Sequence, residues 1–529
     1  MTTSVSDQAI APNAKRLLWA GFMAILAAGV GFSVRGGILG QWANQFGFTM
    51  TELGTITGGG LAGFGLIIII SSLFADKVGY GKLMFLALVL HFVSAVLTLA
   101  APAFYASGGK EGAYWCLFAA MFIFAIGNGV CEAVVNPLTA TLFPKQQTHY
   151  LNILHAGWPA GLVLGSVASA IMAARTDDAG TVISAAVDWR IQMSLFLIPV
   201  LLYGAMILGQ KFPKSHAAEA GVTIGEMVRT IFFPMMILML VIHALVGYVE
   251  LGTDSWISKI TGSIMASPTK GLMLFSYTSL LMFILRFFAG PIVHRISPIG
   301  LLLLSAVLGF TGLQLLGAAT SVVLCIVAAT VYACGKTFLW PTMLAVVSER
   351  FPKGGAVAIG MMGGVGMLSA GLIGGPAIGF KQDHFASKNL QEVSPAGYER
   401  YKADKENTFM GFKTVGLDGA KVGVLEDGGK ELGRATELLA KEGKKDENHD
   451  KLVAWWDGAK ATADADKTAV TGAGLFGGRM ALKLTSIVPA IMALLYLGLL
   501  IYFRSIGGYK AIQITGEQAA GGTKGPAEY

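Results

Sequence analysis

Residues 127–161, GNGVCEAVVNPLTATLFPKQQTHYLNILHAGWPAG, place Glu132, Asn136, Asn152 and His155 beside long apolar runs. Outward from this stretch the same pattern repeats: runs of roughly 20 largely apolar residues, enough to cross a bilayer as a helix, separated by short charged turns. Across the 529 residues, 54% are hydrophobic and only 13% charged, against about 25% charged in an ordinary soluble chain. Lipid is therefore the solvent for most of this protein. A carboxylate inside such a run is costly unless it faces a bundle interior or an aqueous cavity, which makes the opening stretch the place to look for chemistry.

Twelve spans are expected, over residues 17–41, 53–74, 83–104, 114–135, 151–174, 191–209, 231–252, 271–293, 299–319, 321–347, 356–380 and 482–503. The fold class is an all-α integral membrane protein of two six-helix halves. Residues 1–209 form the N-terminal half and 210–230 a cytoplasmic connection. Residues 231–503 form the C-terminal half, interrupted by an extracytoplasmic insert at 381–479, and 504–529 form a cytoplasmic tail.

Orientation follows from the short loops. Lys15, Arg16, Lys77, Lys82, Lys145, Lys211, Lys214, Arg229, Arg295, Arg350 and Lys353 fall on one face, against Lys110, Arg175, Arg190, Lys259 and Lys270 on the other. Basic loops mark the cytoplasm, so both termini are expected there, in a plasma membrane or bacterial inner membrane. The first apolar run is too long for a cleavable signal and reads as the first span.

The insert is rich in glycine and carries basic and acidic residues in nearly equal number. Between residues 431 and 456, Leu432, Leu438, Leu439, Leu452 and Val453 fit one face of an amphipathic helix that Trp455 and Trp456 can anchor. A small helical cap and a mainly flexible segment both fit this composition. Glycines such as those in GGGLAGFG (58–65) and GMMGGVGMLSAGLIGG (360–375) permit close helix packing. The four cysteines, Cys116, Cys131, Cys325 and Cys334, form no C-x-x-C pair and read as packing residues, with no metal site expected.

The connection SLFADKVGYGK (72–82) carries Asp76, Lys77, Gly79 and Lys82, and RFFAGPIVHRISPIG (286–300) carries Arg286, Gly290, His294 and Arg295 without the aspartate. The first resembles the signature between helices two and three of the major facilitator superfamily, and the second is a weaker repeat of it. The resemblance implies a twelve-helix transporter fold and makes Asp76 and Arg286 gating or structural residues, with an ordinary loop charge as the alternative for Asp76. The pattern Glu132-x-x-x-Asn136-Pro137, followed by Phe143-Pro144 and Leu151-Asn152, looks like the fucose-galactose-glucose proton symporter branch. That branch has a central glutamate on its fourth helix and a substrate-facing asparagine on its fifth. The resemblance implies proton coupling at Glu132, substrate contact at Asn152, a sugar as the solute, and a proton gradient rather than a bound cofactor. The first helix departs from the branch: SVRGGILGQWANQ brings Arg35 where an asparagine-aspartate pair stands.

Each polar residue has two readings. Glu132 and Arg35 either form a salt bridge between the first and fourth spans, or Glu132 exchanges a proton while Arg35 contacts a substrate, an anion included. Asn136 and Pro137 break helix hydrogen bonding or simply pack. Asn152, His155 and Trp158 recur every three residues and share a helical face, as a ligand row or as core. In the second half His243, Tyr248, Glu250 and Asp254 run along the seventh span, and Lys336 and Trp340 lie in the tenth. Lys336 meets either a ligand or an acidic helix residue; Tyr248 and Trp340 suit a sugar ring or membrane packing. The substrate-binding candidates are thus Arg35, Asn152, His155, Trp158, His243, Tyr248, Lys336 and Trp340.

No phosphate loop, H-E-x-x-H zinc motif or nucleophile elbow is present in the sequence, so an enzyme is not expected. The formal charge of +7 is spread over loops and insert, unlike a nucleic-acid-binding groove. The expected function is secondary transport of a small polar solute, a sugar, by alternating access with proton symport, in a monomer. A proton-coupled organic-anion transporter and a membrane receptor using the insert are the alternatives.

Overall fold

The computed structural model describes residues 11–512 except 49, 59, 174, 177–181, 185 and 444; the tail beyond Ile512 lies outside the described residues. Among the described residues, eleven helices are long and apolar enough to cross a membrane. One of them, Tyr80–Leu142, has 63 residues, about 95 Å at 1.5 Å per residue, too long for a single crossing. It breaks at Gly109 (φ 62°, ψ −154°), a conformation that favours glycine. Residues 80–108 and 110–142 are therefore the third and fourth spans, giving the expected twelve.

The other spans are Ala14–Phe46, Glu52–Val78, Gln147–Met172 and Trp189–Ile207 in the first half. The second half has Pro234–Ile264, Pro268–Arg286 continued by residues 289–296, residues 298–318, Val322–Arg350, Pro352–Val393 and the helix pair ending at Ser505. The eighth span thus runs beyond Arg286, and the chain turns only at Ser297 (φ 66°).

Several spans are interrupted at mid-depth. The fifth is two helices, Gln147–His155 and Gly157–Met172, and the tenth is Val322–Lys336 followed by Leu339–Arg350. The seventh and eleventh contain π-helical turns at Tyr248–Gly252 and Ala370–Gly374, a wide turn often associated with functional sites. In the fifth and tenth spans the chemical cause is visible. Pro159 and Pro341 lack the N–H that would bond the carbonyl four residues back, at His155 and Thr337.

The halves meet along glycine. A Cβ on Gly65 of the second span would lie 2.8 Å from the carbonyl oxygen of Gly364 in the eleventh, so only glycine permits that approach. Asn13 donates to the carbonyl of Lys211 (3.0 Å), while Tyr509 donates to Glu349 (2.6 Å) and Arg350 to the carbonyl of Lys510 (2.7 Å). Both ends of the described chain and the connector therefore share one face. In that connector Thr223 and Glu226 form a capping box on Ile224–Ile231, and the Thr223 backbone N–H and hydroxyl hold the Glu226 carboxyl below its ordinary range.

The insert projects from the opposite face as a helical cap. Helices Gly375–Val393 and Ala463–Thr485 leave the membrane together and pack on one another, so the boundaries expected at 381 and 479 fall inside continuous helices. Charge at Lys381 and Arg479 is compatible with helix because each has a protein partner: Lys381 donates to the Tyr248 hydroxyl at 2.9 Å and Arg479 to the Gly317 carbonyl at 3.1 Å. Leu390, Tyr401, Leu425, Val470 and Ala473 form the cap's own core, and Arg400 pairs with Asp466 at 2.5 Å. The amphipathic segment expected over 431–456 is two helices, Lys430–Glu442 and Glu447–Ala459, because Gly443 adopts φ 63° and ends the first.

Candidate functional site

Three residues of the opening stretch are joined directly. Asn136 Nδ2 donates to Glu132 Oε2 at 2.6 Å, and Asn136 Oδ1 lies 2.8 Å from His155 Nε2. Since the amide oxygen can only accept, His155 donates through Nε2. The fourth and fifth spans thereby present a buried carboxylate, amide and imidazole in one chain of hydrogen bonds.

This chain continues into the other half through Arg286. Its Nη1 donates to the His155 carbonyl (2.5 Å), its Nε to the Thr337 carbonyl (2.9 Å) and its Nη2 to Glu250 Oε1 (3.1 Å). Both carbonyls are the ones that Pro159 and Pro341 leave without an in-helix partner. The guanidinium, whose side chain is 2% exposed, is fully engaged on three helices. One turn beyond Glu250, Asp254 forms an ion pair with Lys336, which also sits 5.4 Å from the Tyr332 ring. Two acids and two bases therefore balance in the second half's interior.

Among the described residues, the other polar groups nearby are only partly satisfied. Asn152 Nδ2 donates to the Thr148 carbonyl (2.8 Å) and, across the halves, to Thr342 Oγ1 (3.2 Å), while its Oδ1 has no hydrogen bond. His243 packs on Trp340 with ring centroids 4.6 Å apart, fully buried, and neither ring nitrogen has a partner. Glu250 Oε2 and Thr253 Oγ1 are likewise without a hydrogen bond. These atoms are acceptors or can act as acceptors, and buried polar groups ordinarily find partners.

A family description reading Major Facilitator Superfamily matches residues 21–375. The chain belongs to the major facilitator superfamily. Among solved structures, the E. coli fucose:proton symporter is 17% identical, with a TM-score of 0.53 over 71% of this chain and 92% of that one. A bacterial homologue of the human lysosomal transporter Spinster, inward-facing and unoccupied, is 12% identical, with a TM-score of 0.57 over 92% of this chain and 96% of that one. The human organic anion transporter MFSD10 is 12% identical, with a TM-score of 0.56 over 92% of this chain and 100% of that one. At such identities the likeness shows the fold. No curated protein sequence matches the chain.

The remaining candidates take other places in this major facilitator. Arg35 is buried but turned away from Glu132: Nη2 donates to Ser94 (2.8 Å), Nη1 to the Gly31 carbonyl (3.2 Å), and the guanidinium lies 4.0 Å from the Phe124 ring centroid. Among the described residues it has no acidic partner, so the Arg35–Glu132 bridge does not form here; cation–π contact and hydrogen bonds take its place. Tyr248 turns its hydroxyl to Lys381, and half-buried Trp158 packs 5.8 Å from Phe32. Pro137 is buried within the fourth span.

Asp76 accepts from Tyr80 (3.0 Å) and stands beside Gly355, the start of the helix Gly355–Ser369, where a negative charge is favourable. Arg286, grouped by sequence with a loop signature, instead belongs to the buried network because its helix continues for another two turns. Sequence reasoning missed Thr342 and the carbonyls of His155 and Thr337 as partners. The signal available was a proline four residues downstream of each carbonyl.

Proposed function

We propose that this major facilitator is a secondary active transporter of a small uncharged polyhydroxylated solute, a sugar, working by alternating access with proton symport through Glu132. The observation that carries the solute class is the state of the charges. Arg286 and Lys336, the cations that would recognise an anion, are engaged by Glu250 and Asp254, and Arg35 is held in the first half's packing by Ser94 and Phe124. Among the described residues, Asn152 Oδ1, Glu250 Oε2 and both His243 ring nitrogens are without hydrogen-bond partners, as is Nε of Arg35, and the His243 ring packs on Trp340. Hydroxyl groups both donate and accept, so a polyol can bond to the acceptors of this set, whereas a carboxylate group can only accept and brings no donor to Glu250 Oε2 or Asn152 Oδ1.

Alternating access is supported by where the halves touch. Among the described residues, side-chain hydrogen bonds crossing between the six-helix bodies are Thr148–Glu349, Asn152–Thr342 and Arg286 to the His155 carbonyl. They lie between mid-depth and the face bearing the termini, and join the halves there. We assign that face to the cytoplasm from its basic loops, the cap to the outside, and Glu132 to proton coupling because it is the buried carboxylate of the first half's site, bonded to an amide and lacking a salt bridge among the described residues.

Flux into proteoliposomes from a panel of aldoses, sugar acids and dicarboxylates, with and without an inward proton gradient, tests the reading. Gradient-driven accumulation of an aldose is expected. Accumulation confined to the anions would overturn the solute class, uptake insensitive to dissipating the gradient would remove proton coupling, and binding to the cap without flux would make the protein a receptor.

A further inference from the structure

We propose that Arg286 is the latch that holds the two halves together at the depth of the site, and that Glu250 with two proline-freed carbonyls sets its geometry; this rests on the alternating-access reading above. A guanidinium is a rigid planar fork of five N–H donors with a charge it cannot shed. Here the fork spans three acceptors, two in its own half (Thr337 carbonyl and Glu250) and one in the other (His155 carbonyl). Each carbonyl would be occupied in an uninterrupted helix. Pro159 and Pro341 remove those donors, so the sequence itself prepares the acceptors that Arg286 fills.

The asymmetry of the three bonds makes the device reversible. When the halves separate, Arg286 keeps Glu250 and Thr337 and leaves with the second half, its charge still compensated. Of the three guanidinium bonds only the one to His155 breaks, and water entering the opened site can take its place at both ends. The neighbouring Asn152–Thr342 bond is neutral and longer. Glu250 has a second consequence. Without its carboxylate the buried guanidinium becomes an uncompensated charge, which is strongly disfavoured and is relieved by opening the site to water.

The test needs no solute. Lys145, in a loop of the first half, and Arg295, in the last turn of the eighth span, are exposed on the terminus-bearing face; Lys145→Cys and Arg295→Cys, with Cys334→Ser, carry spin labels in full-length protein in lipid nanodiscs. Electron–electron distance measurement reads the closed and separated populations. Arg286→Lys, which supplies a point charge in place of the fork, should raise the separated population by roughly tenfold or more, the worth of one charge-assisted bond. Pro159→Ala, which returns an in-helix N–H to His155, should shift the population the same way; Pro341→Ala, whose carbonyl lies in the same half as Arg286, should not.

The charge-neutral double variant Glu250→Gln/Arg286→Gln separates a latch from a merely structural ion pair. For a latch, its melting temperature recovers relative to Glu250→Gln while the separated population stays raised. Return of the double variant to the wild-type distance distribution, or an unchanged distribution in Pro159→Ala, would overturn the proposal. Failure to find a transported sugar leaves these distances unaffected, so the two readings fail separately.

Discussion

Asn152 of the fifth span donates to Thr342 Oγ1 of the tenth at 3.2 Å, hydrogen-bonding the two halves two residues from Trp340, on which His243 packs. In the proposed transport cycle, solute contact and closure of the halves would be served by adjacent groups, since a ligand that bonds to Asn152 Oδ1 acts on the residue that also bridges them.

Thr342→Val removes the bridging hydroxyl and keeps the shape of the side chain, while Asn152 retains its bond to the Thr148 carbonyl. The closed arrangement should lose about 1 kcal/mol, the worth of one neutral hydrogen bond. Solute exchange measured by counterflow is expected to persist, with a several-fold change in apparent affinity. Complete loss of exchange in normally inserted Thr342→Val would show that the hydroxyl contacts the solute itself.

The pair Lys336–Asp254 lies in the second half's interior, the two side chains 1% and 13% exposed. Removing one partner leaves a buried charge alone, so Lys336→Ala should lower stability by about 3–5 kcal/mol, read as a large drop in melting temperature in detergent. Lys336→Met with Asp254→Asn removes both charges and should recover most of the loss. If the double variant, whose methionine keeps the apolar stem, still melts like Lys336→Ala, the ammonium contributes through its contacts with the Tyr332 and Phe275 rings rather than by compensating Asp254.

The span number and the two-half plan were legible because hydropathy and loop charge report directly on the solvent around each segment. Glu132, Asn136 and His155 were legible too, since a polar group in an apolar run stands out whatever it bonds to. Arg286 was harder. Its residue type and neighbourhood matched a loop, and only the helix that continues to Ile296 places it inside the bundle. Partners on other helices, such as Thr342 for Asn152 or Ser94 for Arg35, carry no sequence signal, because register between spans is set by packing. Charge alone also misled at residues 381 and 479, where helices persist into water by packing on each other.

The cap has its own core around Tyr401 and Leu425, and all twelve spans remain without it. Replacing residues 394–462 by a short flexible linker should therefore leave a protein that inserts and retains part of its flux, since the paired helices below are preserved. A lower melting temperature is expected, because Leu390 and Val470 lose their cover. Abolished flux in a variant with normal insertion and monodispersity would make the cap an obligatory outer gate.

Glu132→Gln tests coupling most directly. Glutamine keeps an oxygen that can accept from Asn136 Nδ2, as Glu132 Oε2 does at 2.6 Å, so the chain through Asn136 to His155 survives, yet glutamine cannot take up or release a proton. If Glu132 is the proton carrier, binding and counterflow persist while accumulation against a gradient falls to near equilibration. Arg35 does not complicate the result, because Nη1 and Nη2 bond to the Gly31 carbonyl and Ser94 and it forms no ion pair with Glu132. Unchanged accumulation by Glu132→Gln would reject the residue as an obligatory carrier and direct attention to Glu250. Loss of binding together with both transport modes would instead assign Glu132 to solute contact or to the integrity of the Asn136–His155 chain, and Asn136→Ala, which breaks that chain at the amide and keeps the carboxyl itself, would separate those two outcomes.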